Sequence, residues 1–175
     1  MRAIWSELVD RIGSALTRRR FAACARSARI LGSVRIRGRG SVRVGERVVL
    51  DGRFAPIELH AITPEAIITL DDDVRIGPGT SIEAIASVSI GARARLDRFC
   101  KVMDTHFHQT SGDRQQRAEA HPVTIEEDTD VGPSAILTAG AHLERGVRVC
   151  PASMVTRRVR AGATVRGSPA TVVRP

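Results

Sequence analysis

Apolar residues recur every six positions along the C-terminal half of this chain. Every sixth residue from Val123 to Val165 is small or β-branched, and a second series, offset by two, is aliphatic from Ile125 to Ala161. A helix repeats its apolar face about every 3.6 residues and a strand about every two. A period of six fits neither, so it predicts short strands joined by turns, with one small and one larger side chain directed inward at each step. The first series is Val123, Thr129, Ala135, Ala141, Val147, Ser153, Val159 and Val165, and the second is Ile125, Val131, Leu137, Leu143, Val149, Val155 and Ala161.

Shorter blocks of the same period occur in the N-terminal half, where Val48 and Phe54 are predicted to be inward-facing. The period slips at about residues 56–67, 83–88 and 103–122, and we expect loops in these regions. Three sides complete one coil of such a structure, so residues eighteen apart should stack directly on one another. This predicts a column formed by Val123, Ala141 and Val159.

The composition agrees with an interior of stacked aliphatic side chains. Aromatic residues make up only 3% of the chain and tyrosine is absent, so bulky rings do not fill the core. The chain has 27 Lys and Arg against 19 Asp and Glu, and the net charge of +8 favours anionic partners. Nucleic acid is not expected, because aromatic residues for base stacking are scarce and the arginines are spread along the chain.

Several features predict a cytoplasmic location. The three cysteines are widely spaced and form no CxxC motif, which indicates reducing surroundings. The chain offers no apolar run long enough to span a membrane, and its first twenty residues lack the uninterrupted apolar core of a signal peptide.

Residues 1–29 lack the period of six and are predicted to form an amphipathic helix. Ile4, Leu8, Ile12 and Leu16 make its apolar stripe, and arginines dominate the rest. We expect this helix to pack over the first coil and shield its open edge. Contact with an anionic lipid surface is the alternative, because a basic amphipathic helix also suits that role.

The turns and the C-terminus resemble one known family. The turns "VGPS", "IGPG" and "IGAR" and the ending "VRGSPATVVRP" are similar to those of the hexapeptide-repeat acyltransferases, in particular the galactoside, maltose and polysaccharide O-acetyltransferases. The resemblance covers about residues 30–175 and implies an all-β fold, a left-handed parallel β-helix with a loop extruded at about 104–122. It also implies a homotrimer with active sites between neighbouring subunits, acetyl-CoA or another acyl-CoA as co-substrate, and no metal.

The resemblance also implies a set of residues that contact coenzyme A. Among them, Arg157 and Arg174 suit phosphate groups because a guanidinium forms bidentate hydrogen bonds with them. Thr171 stands where many relatives have a basic residue. The full set is Pro133, Pro151, Thr156, Arg157, Thr171 and Arg174.

The stretch "DTHFHQ" at residues 104–109 resembles the strand end of this family that carries its catalytic histidine, which corresponds to His108. An imidazole with a pKa near 6.5 is a suitable general base at neutral pH. We therefore predict direct acyl transfer, in which His108 accepts a proton from a sugar hydroxyl as that hydroxyl attacks the thioester.

Four further positions are predicted to bind the acceptor. Asp104 and His106 share one side of an extended strand with His108, and Asp104 could instead orient the imidazole. By resemblance, Gly77 occupies the place of an acceptor-binding asparagine, and Glu83 lies near the place of a following acid. The acceptor is therefore expected to differ from that of the galactoside enzymes.

Three other functions remain open from the sequence. His108 serves equally well for N-acylation of an amino sugar, since an amine also needs a base. A zinc enzyme like the gamma-class carbonic anhydrases could use His106, His108 and His121 as ligands, although the ending "GSPA" favours a coenzyme A enzyme. A non-catalytic β-helical module is the third possibility.

Overall fold

The computed structural model describes residues 20–106 and 119–174, with only the backbone described for Arg174. These residues form a solenoid of seven coils, which we number 1 to 7 from the N-terminus. Coils 3 to 6 each contribute one short strand to each of three faces, A, B and C, in that order along the chain, whereas coils 1 and 2 cover faces B and C with one long strand and coil 7 has strands only on faces A and B. Strands on each face pair in parallel with those of the coils above and below, except for the last strand of the chain.

Face A is a seven-stranded sheet, whereas faces B and C together form a twelve-stranded one, because two long strands bend across the corner between them. Face A contains Ala23–Cys24, Ser41–Val44, Ile67–Leu70, Ser87–Ile90, Val123–Ile125, His142–Leu143 and Arg158–Val159. The long strands are Arg29–Gly38 and Val49–Ala61. Face B continues with Arg75–Ile76, Arg95–Leu96, Asp130–Val131, Arg148–Val149, Thr164–Gly167 and the antiparallel Ala170–Arg174. Face C continues with Ser81–Ala84, Lys101–Met103, Ile136–Leu137 and Met154–Val155.

Larger aliphatic side chains stack in one column behind each face and form the core. On face B the strand registers place each such residue directly on its counterpart in the next coil, and all are buried. Each coil thus removes apolar surface of its neighbours from water, which stabilises the stack. The face B column contains Leu50, Ile76, Leu96, Val131, Val149 and Val165. The prediction of a parallel β-helical solenoid is confirmed, while its left-handed sense stays a prediction.

The predicted column of Val123, Ala141 and Val159 is wrong at its last member. Thr124 pairs with His142, eighteen positions on, whereas His142 pairs with Arg158, only sixteen positions on. Val159 therefore stacks on Leu143, because the turn that follows Val155 is shorter. The same shift leaves Ala161 exposed and places Ala163 inside.

The prediction that Phe54 faces inward is also wrong. Its side chain is 79% exposed, and its ring makes an edge-to-face contact with the ring of Phe99 at a centroid distance of 6.2 Å. Extra residues in the long strand Val49–Ala61 bulge outward at the corner between faces B and C. Ile57 is therefore the first buried residue on face C.

The predicted N-terminal helix does not extend over residues 20–29. Ala23–Cys24 form a strand that pairs with Ser41–Val44, and the next strand starts at Arg29. Phe21 and Ala28 are buried against coil 1, so the solenoid begins earlier than residue 30. Residues 1–19, with the apolar stripe from Ile4 to Leu16, lie outside the described residues. Within the described ranges there is no helix long and apolar enough to cross a membrane.

The corner between faces A and B bends through residues with positive φ. Arg47, Asp73, Arg93 and Asp128 occupy equivalent positions in coils 2 to 5, with φ between 56° and 62°. Each arginine forms a bidentate ion pair with the aspartate of the next coil, at N–O distances of 2.6–2.9 Å. The pairs keep the pKa of both aspartates below its usual value, chiefly through the side-chain hydrogen bonds from the arginines.

Two alanines of the last coils provide a test of this turn geometry. Ala152 has a φ of 53°, whereas Ala161 is an exposed turn residue without positive φ. Ala152→Gly should stabilise the protein by about 0.5 kcal/mol. Glycine removes the backbone strain of roughly 1–2 kcal/mol that alanine has at positive φ, and the greater conformational entropy of the unfolded chain offsets part of this gain. Ala161→Gly should destabilise it by about 0.4–1 kcal/mol, since only the entropy changes. Urea denaturation of both variants measures the change in the free energy of unfolding, which should have opposite signs in the two variants. A change of the same sign in both would contradict this turn geometry.

Candidate functional site

The candidate site lies where the chain leaves face C at the end of Lys101–Met103 and returns to face A at Val123–Ile125. Two backbone hydrogen bonds fix the base of this excursion. The His121 N–H donates to the carbonyl of Asp104 at 2.8 Å, and the Gly140 N–H of coil 5 donates to the carbonyl of His121 at 3.0 Å. Both ends of the excursion are therefore held against ordered coils.

Asp104 is the main polar anchor of this base. It is fully buried, and its carboxylate accepts hydrogen bonds from the backbone N–H groups of Ile85, at 2.8 and 3.0 Å, and Ala86, at 2.7 Å. These donors belong to the coil 3 turn, so Asp104 ties the excursion to the coil below it. Acceptor binding by Asp104 stays a prediction.

Of the two histidines in "DTHFHQ", the structure describes only His106. His106 is exposed two residues beyond Asp104. His108 belongs to residues 107–118, which lie outside the described residues, so its position stays a prediction. The anchored Asp104 nevertheless fixes where the segment that carries His108 begins.

Glu83 lies on the outer side of face C, near the base of the excursion. Its side chain is 19% exposed, accepts a hydrogen bond from Ser81 Oγ at 3.1 Å, and has Lys101 Nζ at 3.7 Å. Strand register places it between His60 of coil 2 and Met103 of coil 4. Among the predicted acceptor residues, the structure thus brings Glu83, Asp104 and His106 to one corner, and it adds His60.

Gly77 lies at the opposite edge of face C, at the corner with face B. A Cβ at this position would lie 2.8 Å from the backbone N of Arg98 and 2.8 Å from the carbonyl carbon of Asp97. The close approach of the next coil is therefore a sufficient structural reason for glycine here. An acceptor contact at Gly77 stays a prediction.

Two predicted coenzyme A contacts lie at the corner between faces B and C, higher along the solenoid. Pro133 of coil 5 and Pro151 of coil 6 occupy equivalent positions, and the Ala152 N–H donates to the carbonyl of Pro133 at 2.9 Å. Pro151 is exposed and Pro133 is half-buried, so both present surface to solvent.

The other predicted contacts lie near the C-terminal end of the solenoid. Thr156 and Arg157 are exposed at the corner between faces C and A, directly after Met154–Val155. Thr171 is exposed on the final strand, where it pairs with Arg166. Arg174 pairs through its backbone with Thr164, and its side chain lies outside the described atoms. The predicted contacts on coils 5 and 6 thus lie at both edges of face C.

Cys100 has the surroundings of a structural residue. Its side chain is buried, with Sγ 3.3 Å from the carbonyl oxygen of Gly132, and burial raises the pKa of the thiol to about 12. A thiol that stays protonated at neutral pH is a poor nucleophile.

The reactivity of Cys100 can be measured directly. In a variant with Cys24→Ser and Cys150→Ser, the remaining thiol should not react with a disulfide reagent at pH 8 while the protein is folded. It should react fully in denaturant, because unfolding removes the burial that raises its pKa. Rapid labelling of the folded variant would contradict the structural role of Cys100.

The zinc site that the sequence left open stays a prediction. Among residues 20–106 and 119–174, no group of three or more His, Cys, Asp or Glu side chains could hold a metal ion. His106 and His121 are both exposed, and their third predicted zinc partner, His108, lies outside these ranges.

The sequence is similar to curated proteins over a short stretch, and no family model matches it. It is 40% identical over 55 residues to the 2,3,4,5-tetrahydropyridine-2,6-dicarboxylate N-acetyltransferase of several Staphylococcus aureus strains, which covers 31% of this chain. The matched stretch spans only 23% of the length of that relative.

The fold is similar to several solved acyltransferases. AntD, an N-acyltransferase from Bacillus cereus in complex with dTDP and 3-hydroxybutyryl-CoA, has a TM-score of 0.75 at 15% identity, covering 92% of this chain and 86% of AntD. A hexapeptide-repeat-containing acetyltransferase from Vibrio cholerae, complexed with acetyl coenzyme A, has a TM-score of 0.59 at 19% identity, covering 92% and 74%. The polysialic acid O-acetyltransferase OatWY has a TM-score of 0.50 at 14% identity, covering 87% of each chain.

The chain has the fold of the hexapeptide-repeat acyltransferases. The resemblance that the turns and the C-terminal ending indicated is thereby confirmed at the level of the fold. Within this hexapeptide-repeat fold, sequence reasoning missed the structural role of Asp104 and the place of His60 on face C beside Glu83. The position of His60 depends on the register of coils 2 and 3, whose period is interrupted, so the sequence carried no clear signal for it.

Proposed function

We propose that this protein is a coenzyme A-dependent acyltransferase that transfers an acetyl group to a hydroxyl of a sugar or glycosylated metabolite. The observation that carries the proposal is the anchored excursion between coils 4 and 5. Asp104 and His121 fix its two ends against a rigid solenoid, and "DTHFHQ" places His108 four residues beyond the anchor. A general base needs such a support, because proton transfer requires it within hydrogen-bond reach of the nucleophile.

The chemistry needs one base and one leaving thiolate. His108 accepts the proton from the acceptor hydroxyl as its oxygen attacks the thioester carbonyl, and backbone N–H groups stabilise the resulting oxyanion. The intermediate collapses, the C–S bond breaks, and the proton passes from His108 to the thiolate. A thiol with a pKa of about 8.5 is a good leaving group, so no strong acid is needed.

The acyl donor is proposed to lie along the C-terminal half of face C. Pro133 and Pro151 lie at one edge of this face and Thr156 and Arg157 at the other. Arg157 and Arg174 would bind the phosphates of acetyl-CoA or another acyl-CoA, with Thr171 beside them. In a homotrimer, a neighbouring subunit would complete this surface, and we place the protein in the cytoplasm.

The acceptor is proposed to bind at the corner formed by Glu83, Asp104 and His106, with Gly77 at the far edge of the face. AntD has been crystallised with dTDP-4-amino-4,6-dideoxyglucose and coenzyme A, and OatWY is a polysialic acid O-acetyltransferase. These names support a sugar or sugar nucleotide as the acceptor of this chain.

N-acyl transfer is the second candidate function. It is supported by the 55-residue stretch that is 40% identical to a tetrahydropyridine-dicarboxylate N-acetyltransferase, and by the name of AntD. An amine attacks the thioester in the same way, and His108 accepts its proton.

Mass spectrometry of products separates the two candidates. The protein is incubated with acetyl-CoA and pairs of nucleotide sugars that differ only in a hydroxyl or an amine at one carbon. O-acetylated product alone supports the first candidate and N-acetylated product alone the second. Zinc in stoichiometric amount together with carbonic anhydrase activity, and no acetylated product, would overturn both in favour of a metalloenzyme.

Arg157 provides a test of the donor site. Arg157→Gln should raise the KM for acetyl-CoA about 10- to 100-fold and leave kcat nearly unchanged, because one charge-assisted hydrogen bond contributes about 1.5–3 kcal/mol to binding. Arg148→Gln is the matched control, since Arg148 is also an exposed arginine and lies on face B. An equal rise of KM in both variants would indicate general electrostatics and contradict the assignment.

A further inference from the structure

Two phenylalanine side chains meet on the outside of the solenoid, at the corner between faces B and C. Phe54 of coil 2 is 79% exposed and Phe99 of coil 4 is 46% exposed, and the planes of their rings are 77° apart. The whole chain has only four phenylalanines, one tryptophan and no tyrosine. At this exposure, at least one face of the Phe54 ring is open to a ligand. We call the two rings the aromatic corner.

Phe99 has a backbone conformation that a bulky residue rarely adopts. Its φ is 58°, and the equivalent turn positions of coils 3, 5 and 6 also have positive φ but hold the small residues Gly79, Ser134 and Ala152. Positive φ is unfavourable for any residue with a Cβ, and strained residues of this kind cluster at functional sites. Formation of the turn alone does not explain a phenylalanine at this position.

The backbone of the coils supports the aromatic corner. Gly79 of coil 3 leaves room for the ring, because a Cβ there would lie only 2.4 Å from Cδ1 of Phe99. The Phe99 N–H donates to the carbonyl of Pro78 at 2.8 Å, and the Gly79 N–H donates to the carbonyl of Ala55 at 3.1 Å. A ligand that binds to groups already held in place loses less free energy to ordering them. The corner is therefore preorganised.

Face C continues from this corner with a cation and then an acid. Lys101, the single lysine of the chain, is exposed two residues beyond Phe99, a span of at most about 7 Å. Glu83 lies four residues beyond Gly79, a span of at most about 13 Å, and its Oε1 is 3.7 Å from Lys101 Nζ. An aromatic surface, an ammonium group and the proposed acceptor corner thus follow one another across the face.

The size of the aromatic corner favours a small ligand over a second protein surface. A phenylalanine side chain has about 200 Å² of surface, so the two rings expose about 250 Å² together. A stable protein contact buries about 800 Å² on each partner. The exposed area suits one stacked ring of a ligand.

We propose that the aromatic corner binds the base of a nucleotide, and that the acceptor is a nucleotide-linked sugar. The base stacks on Phe54, the diphosphate binds Lys101, and the sugar reaches Glu83. Stacking accommodates any base, because every base has a π face. The assignment of this nucleotide to the acceptor rests on the proposed function, whereas the binding of a nucleotide at the corner does not.

Isothermal titration calorimetry with ADP, CDP, GDP, UDP and dTDP tests the proposal. At least one of them should bind at least tenfold more tightly than inorganic pyrophosphate and than its own nucleoside, because only the nucleotide uses both Phe54 and Lys101. Phe54→Ala should weaken its binding about 5- to 150-fold, and Phe54→Trp should retain it. Lys101→Gln should weaken it about tenfold. No preference for any of the five over pyrophosphate would overturn the proposal.

Two matched variants control for general effects. Arg95→Gln removes an exposed cation of the same coil on face B, and Val173→Ala truncates an apolar side chain that is 52% exposed on the final strand. Both should bind the nucleotide as the unchanged protein does. Phe54→Ala should melt within about two degrees of it, because the side chain is exposed. Equal weakening in the control and corner variants would contradict the proposed site.

Two further measurements distinguish other occupants of this corner. Displacement of the bound nucleotide by coenzyme A would assign the corner to the acyl donor, and a fall in molar mass by light scattering in Phe54→Ala would assign it to a subunit contact. Either result overturns the proposal.

The fate of this inference can be separated from that of the proposed function. Nucleotide binding is measured without an acyl donor, so absence of acyl transfer leaves it unaffected and concerns the proposed function only. Acetylation of a sugar with the same acceptor KM in Phe54→Ala and the unchanged protein would overturn this inference and leave the proposed function intact.

Discussion

Replacing His108 with alanine should lower kcat for acetyl transfer by about 10²- to 10⁴-fold, which is the usual contribution of a general base. The KM for acetyl-CoA should change little, because the proposed donor contacts lie on coils 5 to 7 and on the final strand. Steady-state assays with a wide range of acetyl-CoA concentrations measure both constants. The loss should appear in kcat and kcat/KM alike, which indicates an interaction made in the transition state.

His142→Ala is the control for this variant. His142 is half-buried on face A, where its Nε2 lies 2.7 Å from Glu126 Oε1. Its loss should leave kcat within about twofold, after correction for any fall in the folded fraction. The His108→Ala protein should also melt within a few degrees of the unchanged protein. Near-normal turnover in His108→Ala would contradict the assignment of the base.

Replacing Asp104 with alanine should destabilise the protein by about 3 kcal/mol. The change leaves the N–H groups of the half-buried Ile85 and Ala86 without their acceptor on the buried side of the turn, and an unsatisfied buried donor costs about 1–3 kcal/mol. Urea denaturation measures the loss. Activity per folded molecule should fall as well, because the base of the excursion is released from coil 3.

Asp104→Asn separates the charge of this residue from its hydrogen bonds. Asparagine keeps one acceptor oxygen of the same shape, so the expected loss is smaller, about 1–2 kcal/mol. Glu58→Gln, a half-buried acid on face C of coil 2, is the surface control and should change stability by less than about 0.5 kcal/mol. A loss in Asp104→Ala no larger than in Glu58→Gln would show that the bonds to the coil 3 turn contribute little.

The period of six was sufficient to predict the solenoid, because each short strand must bury the same two side chains. It identified the inward positions wherever coils keep equal length, as for Ile125, Leu137 and Leu143, which are all buried. It failed where the length changes, at the short turn after Val155 and at the bulge that exposes Phe54. A change of coil length appears in the sequence only as a gap in the pattern, and the apolar residues next to such a gap fit two registers.

The candidate site was less predictable than the fold. Asp104 was predicted from its place before two histidines, but its hydrogen-bond donors come from residues 85 and 86, on another coil. No local pattern reveals such a partner, because strand register brings the two segments together. The resemblance gave Pro133, Pro151, Thr156 and Arg157 as one binding set, and the structure divides them between the two edges of face C.

A crystal structure of the protein with acetyl-CoA tests the central claim most directly. Acyl transfer by His108 predicts that the thioester carbonyl lies beside the imidazole of His108, on the same subunit or its neighbour, with the phosphates near Arg157 and the pantetheine along face C. Acetyl-CoA bound elsewhere on the solenoid, or an imidazole of His108 directed away from the thioester, would contradict it.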